Sequence, residues 1–442
     1  MEWYSFGLLL ADNIALFLKI FAASLIIYTI IFKRLYISVL DPIVFTLLFS
    51  VFGFTVVWFL YFTKQILTFY LISYLLTQIA FFIGLFSFKS LSKTSLLSKT
   101  KIIKLKNETL FLNLLFIISS TLYILLCIST YFLVGVPLFM DSHVDIYSNS
   151  GGLGFLGRFI DVLKPTSIFL LIILLFDSLK LNLFTLYKFF FLICIIIFSV
   201  LSGSKSEFIK IGLIFFCFLI LNANKYHSYF NKLRKYEIGL FITAFLIIIS
   251  VIMVQGNTKD TVSLNDSLFS LYFRMVSSGD TYFFAYPNGA IESINGNKPF
   301  LMLFGDFFGA LRFIPRESLP EPLGITLFNL YLKADYAAGP NPRHNVLGYV
   351  YFGFYGSIVF SFCIGFLLSF FRNKLFFTLR KNISGQLIFV LVYLNLVVLE
   401  TDTPMALSGI GNILITLPIL LAITFPVFLI LTTSVKKQHI LC

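Results

Sequence analysis

The residues best suited to chemistry stand in one polar stretch between long apolar runs, Gly339-Pro340-Asn341-Pro342-Arg343-His344-Asn345. A guanidinium can pair two-pronged with a phosphate while staying charged, and an imidazole can move a proton near neutral pH. Pro340 and Pro342 stiffen the approach and bias Asn341 to an extended conformation. Asn345 is expected to cap the helix that follows. Arg343, His344, the free amides of the first turn and the helix dipole would then converge on an anion at the membrane boundary. The competing reading is a capped helix start with a basic interfacial anchor. Upstream, Tyr272-Phe273-Arg274 carries a second arginine among apolar neighbours, followed by Ser278-Gly279-Asp280. Asp280 is either the ion-pair partner of Arg274 or a base for an incoming hydroxyl. Arg312, in the same polar segment, is a further binding candidate.

Two more basic residues are placed by their neighbours. In Ser202-Gly203-Ser204-Lys205-Ser206-Glu207 a tight polar turn puts Lys205 at a helix start, as a phosphate contact or as an ordinary snorkelling lysine. Arg158 follows Gly152-Leu153-Gly154-Phe155-Leu156-Gly157, which formally matches G-x-G-x-x-G. That run follows Asn149 and Ser150 rather than an apolar strand, so a dinucleotide site is excluded. Its glycines serve close packing or a bend, and Arg158 is an interfacial anchor or a ligand contact. The histidines, His143, His227, His344 and His439, form no H-E-x-x-H or paired motif, and no metal is expected. No G-x-S-x-G is present either. Chemistry must rest on Arg, His, Asp or Glu.

The elements that position these residues are membrane spans. The chain is 59% hydrophobic with 57 Phe, and its mean hydropathy is +0.95. Repeated apolar runs of about twenty residues make an all-α polytopic membrane protein. Spans are expected near 13–32, 42–62, 66–87, 110–132, 159–179, 184–201, 208–222, 237–254, 346–371, 385–400 and 407–431, eleven in all within a range of about 10–12. The net charge of +13 does not point to nucleic acid, because its lysines crowd into short loops. Lys89, Lys93, Lys99, Lys101, Lys104 and Lys106 face only Glu108, which makes their loop cytoplasmic. Alternation then puts every basic cluster on that side and the N-terminus outside. Cys127, Cys194, Cys217, Cys363 and Cys442 have no C-x-x-C spacing, against disulfides and thiol-bound metal. The N-terminus has no basic n-region, so the first span is expected to direct insertion. Two larger loops fall outside, 133–158 and 255–345. The second keeps apolar stretches such as Phe300-Leu301-Met302-Leu303-Phe304 and is expected to form short or re-entrant helices. The chain is read as one transmembrane domain over residues 1–442.

Several short motifs, in order and all on the outer side, resemble the bacterial O-antigen polymerases of the Wzy type. They are Gly135-Val136-Pro137-Leu138-Phe139, Ser202-Gly203-Ser204-Lys205-Ser206, Arg274 with Ser278-Gly279-Asp280, and Arg343-His344-Asn345 followed by Gly353 and Gly356. The chain is more distantly similar to the O-antigen ligases. Their leucine after His-Asn stands one residue further on than Leu347 does, and no second arginine stands beside Arg158. The resemblance implies a GT-C-like bundle in the bacterial inner membrane with its active site facing the periplasm. It implies a metal-independent glycosyltransferase without cofactor, acting on oligosaccharides linked to undecaprenyl pyrophosphate. A growing glycan would pass from that carrier to the non-reducing hydroxyl of a new lipid-linked unit. Arg274 and Arg343 match the outer-loop arginines such enzymes depend on. His344 and Asp280 are candidate bases, while Arg158, Lys205, Arg312 and Asn345 are candidate binding residues. The bilayer and a polysaccharide chain-length regulator would be partners, and nucleic acid would not. A ligase remains the alternative within the class. A flippase is the alternative outside it.

Overall fold

The computed structural model describes residues 3–98, 107–139, 154–177, 182–203, 207–233, 235–237, 239, 279–331 and 339–440. Among these there is no strand, and eight helices are long and apolar enough to cross a membrane. The chain is a helical, multi-pass membrane protein. Expected spans match α2 (Ile14–Phe32), α3 (Pro42–Phe62) and α4 (Thr68–Leu85), the last two following a short α1 (Trp3–Asp12) and α2. After a short α5 (Lys93–Leu97), they match α6 (Glu108–Val134), α7 (Gly154–Asp177) and α8 (Leu183–Leu201). The expected span at 208–222 is α9 (Glu207–Leu221), only 15 residues long. Nearly all of the expected span at 237–254 lies outside the described residues. The polar segment contains short helices α10 (Asp280–Ala285), α11 (Pro299–Ala310) and α12 (Leu323–Asn329). Then come α13 (His344–Ser369), α14 (Ile383–Leu396) and α15 (Thr403–Ile440). At 14 residues α14 is too short to cross, so the expected span at 385–400 is not a full one.

The helices fall into two compact units. The first takes in Met1–Leu97, Ser263–Phe377 and Tyr393–Ser408. Its α3 is the most enclosed span, with Val56, Val57, Phe59 and Leu60 all buried. In lipid no hydrophobic drive pulls helices together, so close packing and buried polar contacts must do it. At one end of the unit Phe32 stacks on Phe86 with centroids 5.5 Å apart. There Asp41 starts α3 and pairs with Arg372, which is itself bonded to the Tyr393 hydroxyl at 2.9 Å. Between α4 and α13 the backbones touch: a Cβ added at Gly84 would lie 2.4 Å from the Phe362 carbonyl oxygen, and one at Gly365 2.1 Å from that of Phe81. Only glycine permits that approach.

The element that positions the site departs from the expected straight span at 346–371. Within α13 the chain breaks at Gly353, whose φ 69 and ψ −176 lie in a region essentially reserved for glycine. Beyond the break it folds back on itself. Ser357 Cα would be 3.1 Å from a Cβ on Gly348, and Phe352 stacks on Phe360 at 5.1 Å. His344 Nδ1 lies 2.9 Å from Ser361 Oγ. In a continuous helix residues 344 and 361 would be about 25 Å apart, at 1.5 Å per residue. So α13 is a helical hairpin. Its first limb, roughly 13 Å long by the same rise, starts deep in the unit and rises to Gly353. The second limb returns past the starting level and continues through a π-helical turn, Phe370–Leu375.

The second unit takes in Ser98–Val262, Thr378–Val392 and Gly409–Cys442. Hydroxyls bridge its spans, Ser167 to Ser119 between α7 and α6 at 3.0 Å, and Ser120 to Tyr187 between α6 and α8 at 2.7 Å. Lys164, inside α7, is paired with Glu207 at the start of α9 and also donates to Ser199 Oγ at 3.0 Å.

A candidate active site at the root of the hairpin

Arg343, expected at an outer boundary, instead sits only 1% exposed in the core of the first unit. The reversal at Gly353 is the reason, because it lets the first limb begin level with the middle of its neighbours. Arg343 Nη2 donates to the Phe49 carbonyl at 2.8 Å, in the first half of α3, while Nη1 donates to Glu400 Oε1 at 2.6 Å. Its guanidinium carbon lies 5.9 Å from the Tyr282 ring centroid. Arg343, not Asn345, is the N-cap residue, and it takes φ 51. That conformation costs a non-glycine residue on the order of 1–3 kcal/mol. Two bonds hold it there, Arg343 N–H to the Thr401 carbonyl at 2.9 Å and His344 N–H to that of Glu400 at 3.1 Å. The amides of Arg343 and His344, at the very start of the limb, are therefore taken by the carbonyls of Thr401 and Glu400.

Around this pair the hairpin root gathers polar groups from five elements. Asn345 accepts from the Tyr282 hydroxyl at 2.5 Å and donates to Thr77 Oγ1 at 2.8 Å. Gln78 continues the chain to Ser50 Oγ at 2.6 Å, and Ser50 meets the Tyr28 hydroxyl at 3.0 Å. Asn345 is thus a buried bridge, not a cap. His344 is fully buried with its ring 4.9 Å from Phe81, and its Nε2 has no partner among the described residues. Glu400 Oε2 and Thr281 Oγ1 are likewise buried and unpartnered. Ionisable groups so deep in a membrane protein are costly, and they mark function by default.

Asp280 opens α10, where the bare backbone of Gly279 lets the chain press against Phe52 and Val56 of α3. Asp280 itself is half-buried. Burial pushes the Asp280 carboxyl up to about 7, with the Arg343 charge pulling the other way. A carboxylate at that value is poised to take a proton at neutral pH.

Of the sequence candidates, the first unit therefore brings together Asp280, Arg343, His344 and Asn345. Arg312 does not join them: it is exposed, with φ 58, just beyond α11. Arg158 belongs to the second unit, where its Nη1 donates to Asn412 Oδ1 at 3.1 Å. Arg274 and Lys205 lie outside the described residues. Sequence reasoning missed Glu400 and Tyr282. Glu400 did leave a signal, as a lone carboxylate ending an apolar run, which in a membrane protein demands a partner. No family model, curated protein or solved structure matches this chain.

Proposed function

We propose that the chain is a membrane glycosyltransferase that polymerises lipid-linked O-antigen repeat units. It transfers a growing glycan from undecaprenyl pyrophosphate to the non-reducing end of a new lipid-linked unit, on the periplasmic face of a bacterial inner membrane. The observation that carries this reading is the convergence of Arg343 with the α10 segment Asp280–Tyr282, distant in sequence, at the root of the α13 hairpin. In the reaction the acceptor hydroxyl oxygen bonds to the anomeric carbon while the carbon–oxygen bond to pyrophosphate breaks. Asp280 takes the hydroxyl proton. Negative charge grows on the departing pyrophosphate, and fixed cations oppose it most strongly where water is scarce. Arg343, tied to Glu400 and to the Phe49 carbonyl, serves as such a fixed charge and locks the limb. Arg274 is the proposed direct pyrophosphate contact, with Arg158, Lys205 and Arg312 as outer binding residues. The GT-C-like bundle and a chain-length regulator as partner belong to the same proposal.

A second reading, a flippase for such lipid-linked units, is favoured by the broken α13. Transporters build sites at mid-depth from interrupted helices. One experiment separates the readings. The gene is deleted in its host and complemented with wild type, with Asp280→Asn, or with the double variant Arg343→Met/Glu400→Met. Protein levels are checked by blotting, and lipopolysaccharide is run on a gel. Removing both partners avoids the roughly 3–5 kcal/mol cost of leaving one charge buried alone. The expected outcome for the deletion and both variants is core plus a single repeat unit. Loss of that single unit as well points to ligase or flippase. Long chains persisting in both variants would overturn the site.

A further inference from the structure

The end of the first unit that carries Asp41 and Arg372 also holds a cleft of about 580 Å³ between the end of α4 and the π-helical turn after α13. That volume lies in the range of ligand pockets, roughly 300–1,000 Å³, with room for a whole headgroup. Lys89 and Lys374 line it, both exposed, and neither forms an ion pair among the described residues. No carboxylate lines the cleft. The hydroxyls of Ser92 and Thr94 form its polar wall, and the rings of Phe88 and Phe377 its apolar one. Lys374 stands on the π-helical turn, the kind of local widening found at functional positions. Two unpaired cations sharing one cleft repel each other until an anion joins them.

We infer that this cleft binds a phosphate group, carried by an anionic lipid headgroup or by a soluble phosphate ester. The hydroxyls and lysines take the phosphate oxygens, and the two rings meet the apolar part of the carrier. The site is separate from the hairpin root and does not rest on the glycan reading.

Native mass spectrometry of the detergent-purified full chain tests it. Phosphatidic acid is added in one arm and glycerol 3-phosphate in the other, with phosphatidylcholine as the comparator of no net charge. Lys89→Gln and Lys374→Gln are each expected to weaken retention of phosphatidic acid about fivefold, and together about thirtyfold, at roughly 1 kcal/mol per basic residue. Lys93→Gln, at the exposed start of α5 and not among the residues lining the cleft, is expected to change nothing. Displacement of the lipid by glycerol 3-phosphate with the same lysine dependence assigns the site to phosphate esters in general. Binding of the lipid alone assigns it to a headgroup. Wild-type retention in the double variant would overturn the inference. So would an equal loss in Lys93→Gln, or equal retention of phosphatidylcholine.

Discussion

Asp280 is where residue chemistry makes the sharpest statement. Its carboxyl is held up to about 7 by burial, against an ordinary value of 3.8. For stability the sign follows from proton binding: the folded chain keeps this proton where the unfolded chain has lost it. The contribution is complete below about 3.8 and disappears as pH rises through about 7. For a general base the sign is opposite, because only the deprotonated form accepts a proton. If the chain is the proposed glycosyltransferase, transfer assayed with the purified protein should therefore rise in kcat/KM through a pKa of about 7. Asp280→Asn should abolish that limb and lower the rate by about 10²–10⁴-fold, while Asp280→Glu should keep the limb. A flat profile in wild type, or an active Asn variant, removes Asp280 from the chemistry. Of this site, Arg343, His344 and Asp280 were legible as polar side chains in a region that rarely holds them. Glu400 was not singled out, because hydropathy averages a single carboxylate into the span around it.

At the scale of the element, the hairpin decides what Arg343 can be. A straight α13 would present it at a boundary as an anchor, whereas a limb starting level with mid-α3 encloses it with Glu400. Hydropathy could not show this, since an apolar segment reads the same whether it runs on or doubles back. The sequence did hold the cue in Gly353 and Gly356, which stand at the turn, although their spacing alone admits packing as readily as reversal. Gly348→Cys with Ser357→Cys, in a background without other cysteines, tests the fold directly. The positions approach within 3.1 Å of Cβ to Cβ, slightly inside disulfide range, and a small shift accommodates the bond. A continuous helix would hold them about 13 Å apart. Mild oxidation should therefore give an intramolecular disulfide, detected as a crosslinked peptide by mass spectrometry. Persistent free thiols would mean that α13 does not fold back.

At the scale of the whole molecule, the expected spans located most of the long helices, because a bilayer requires about twenty apolar residues and the chain supplies them repeatedly. The basic loops gave an orientation on separate grounds, and the first unit supplies a geometry against which to test it. Along α4, Tyr70 near the start stacks on Tyr286 at 5.3 Å and bonds to Glu292 at 3.1 Å. Lys89 follows the other end of the same helix, beside the Phe32–Phe86 stack. If α4 crosses the bilayer, the polar segment around Glu292 and the lysine cleft must face opposite compartments. By the positive-inside rule the lysine side is expected to be cytoplasmic. Lys298 and Lys89 are both exposed, which suits them to labelling as cysteines. In spheroplasts a membrane-impermeant maleimide should modify Lys298→Cys and spare Lys89→Cys. In inverted vesicles the pattern should reverse. The opposite pattern would turn the protein over and overturn the proposed periplasmic reaction. Labelling of both positions from one side would deny that α4 crosses at all, and with it the mid-depth setting of the Arg343–Glu400 pair.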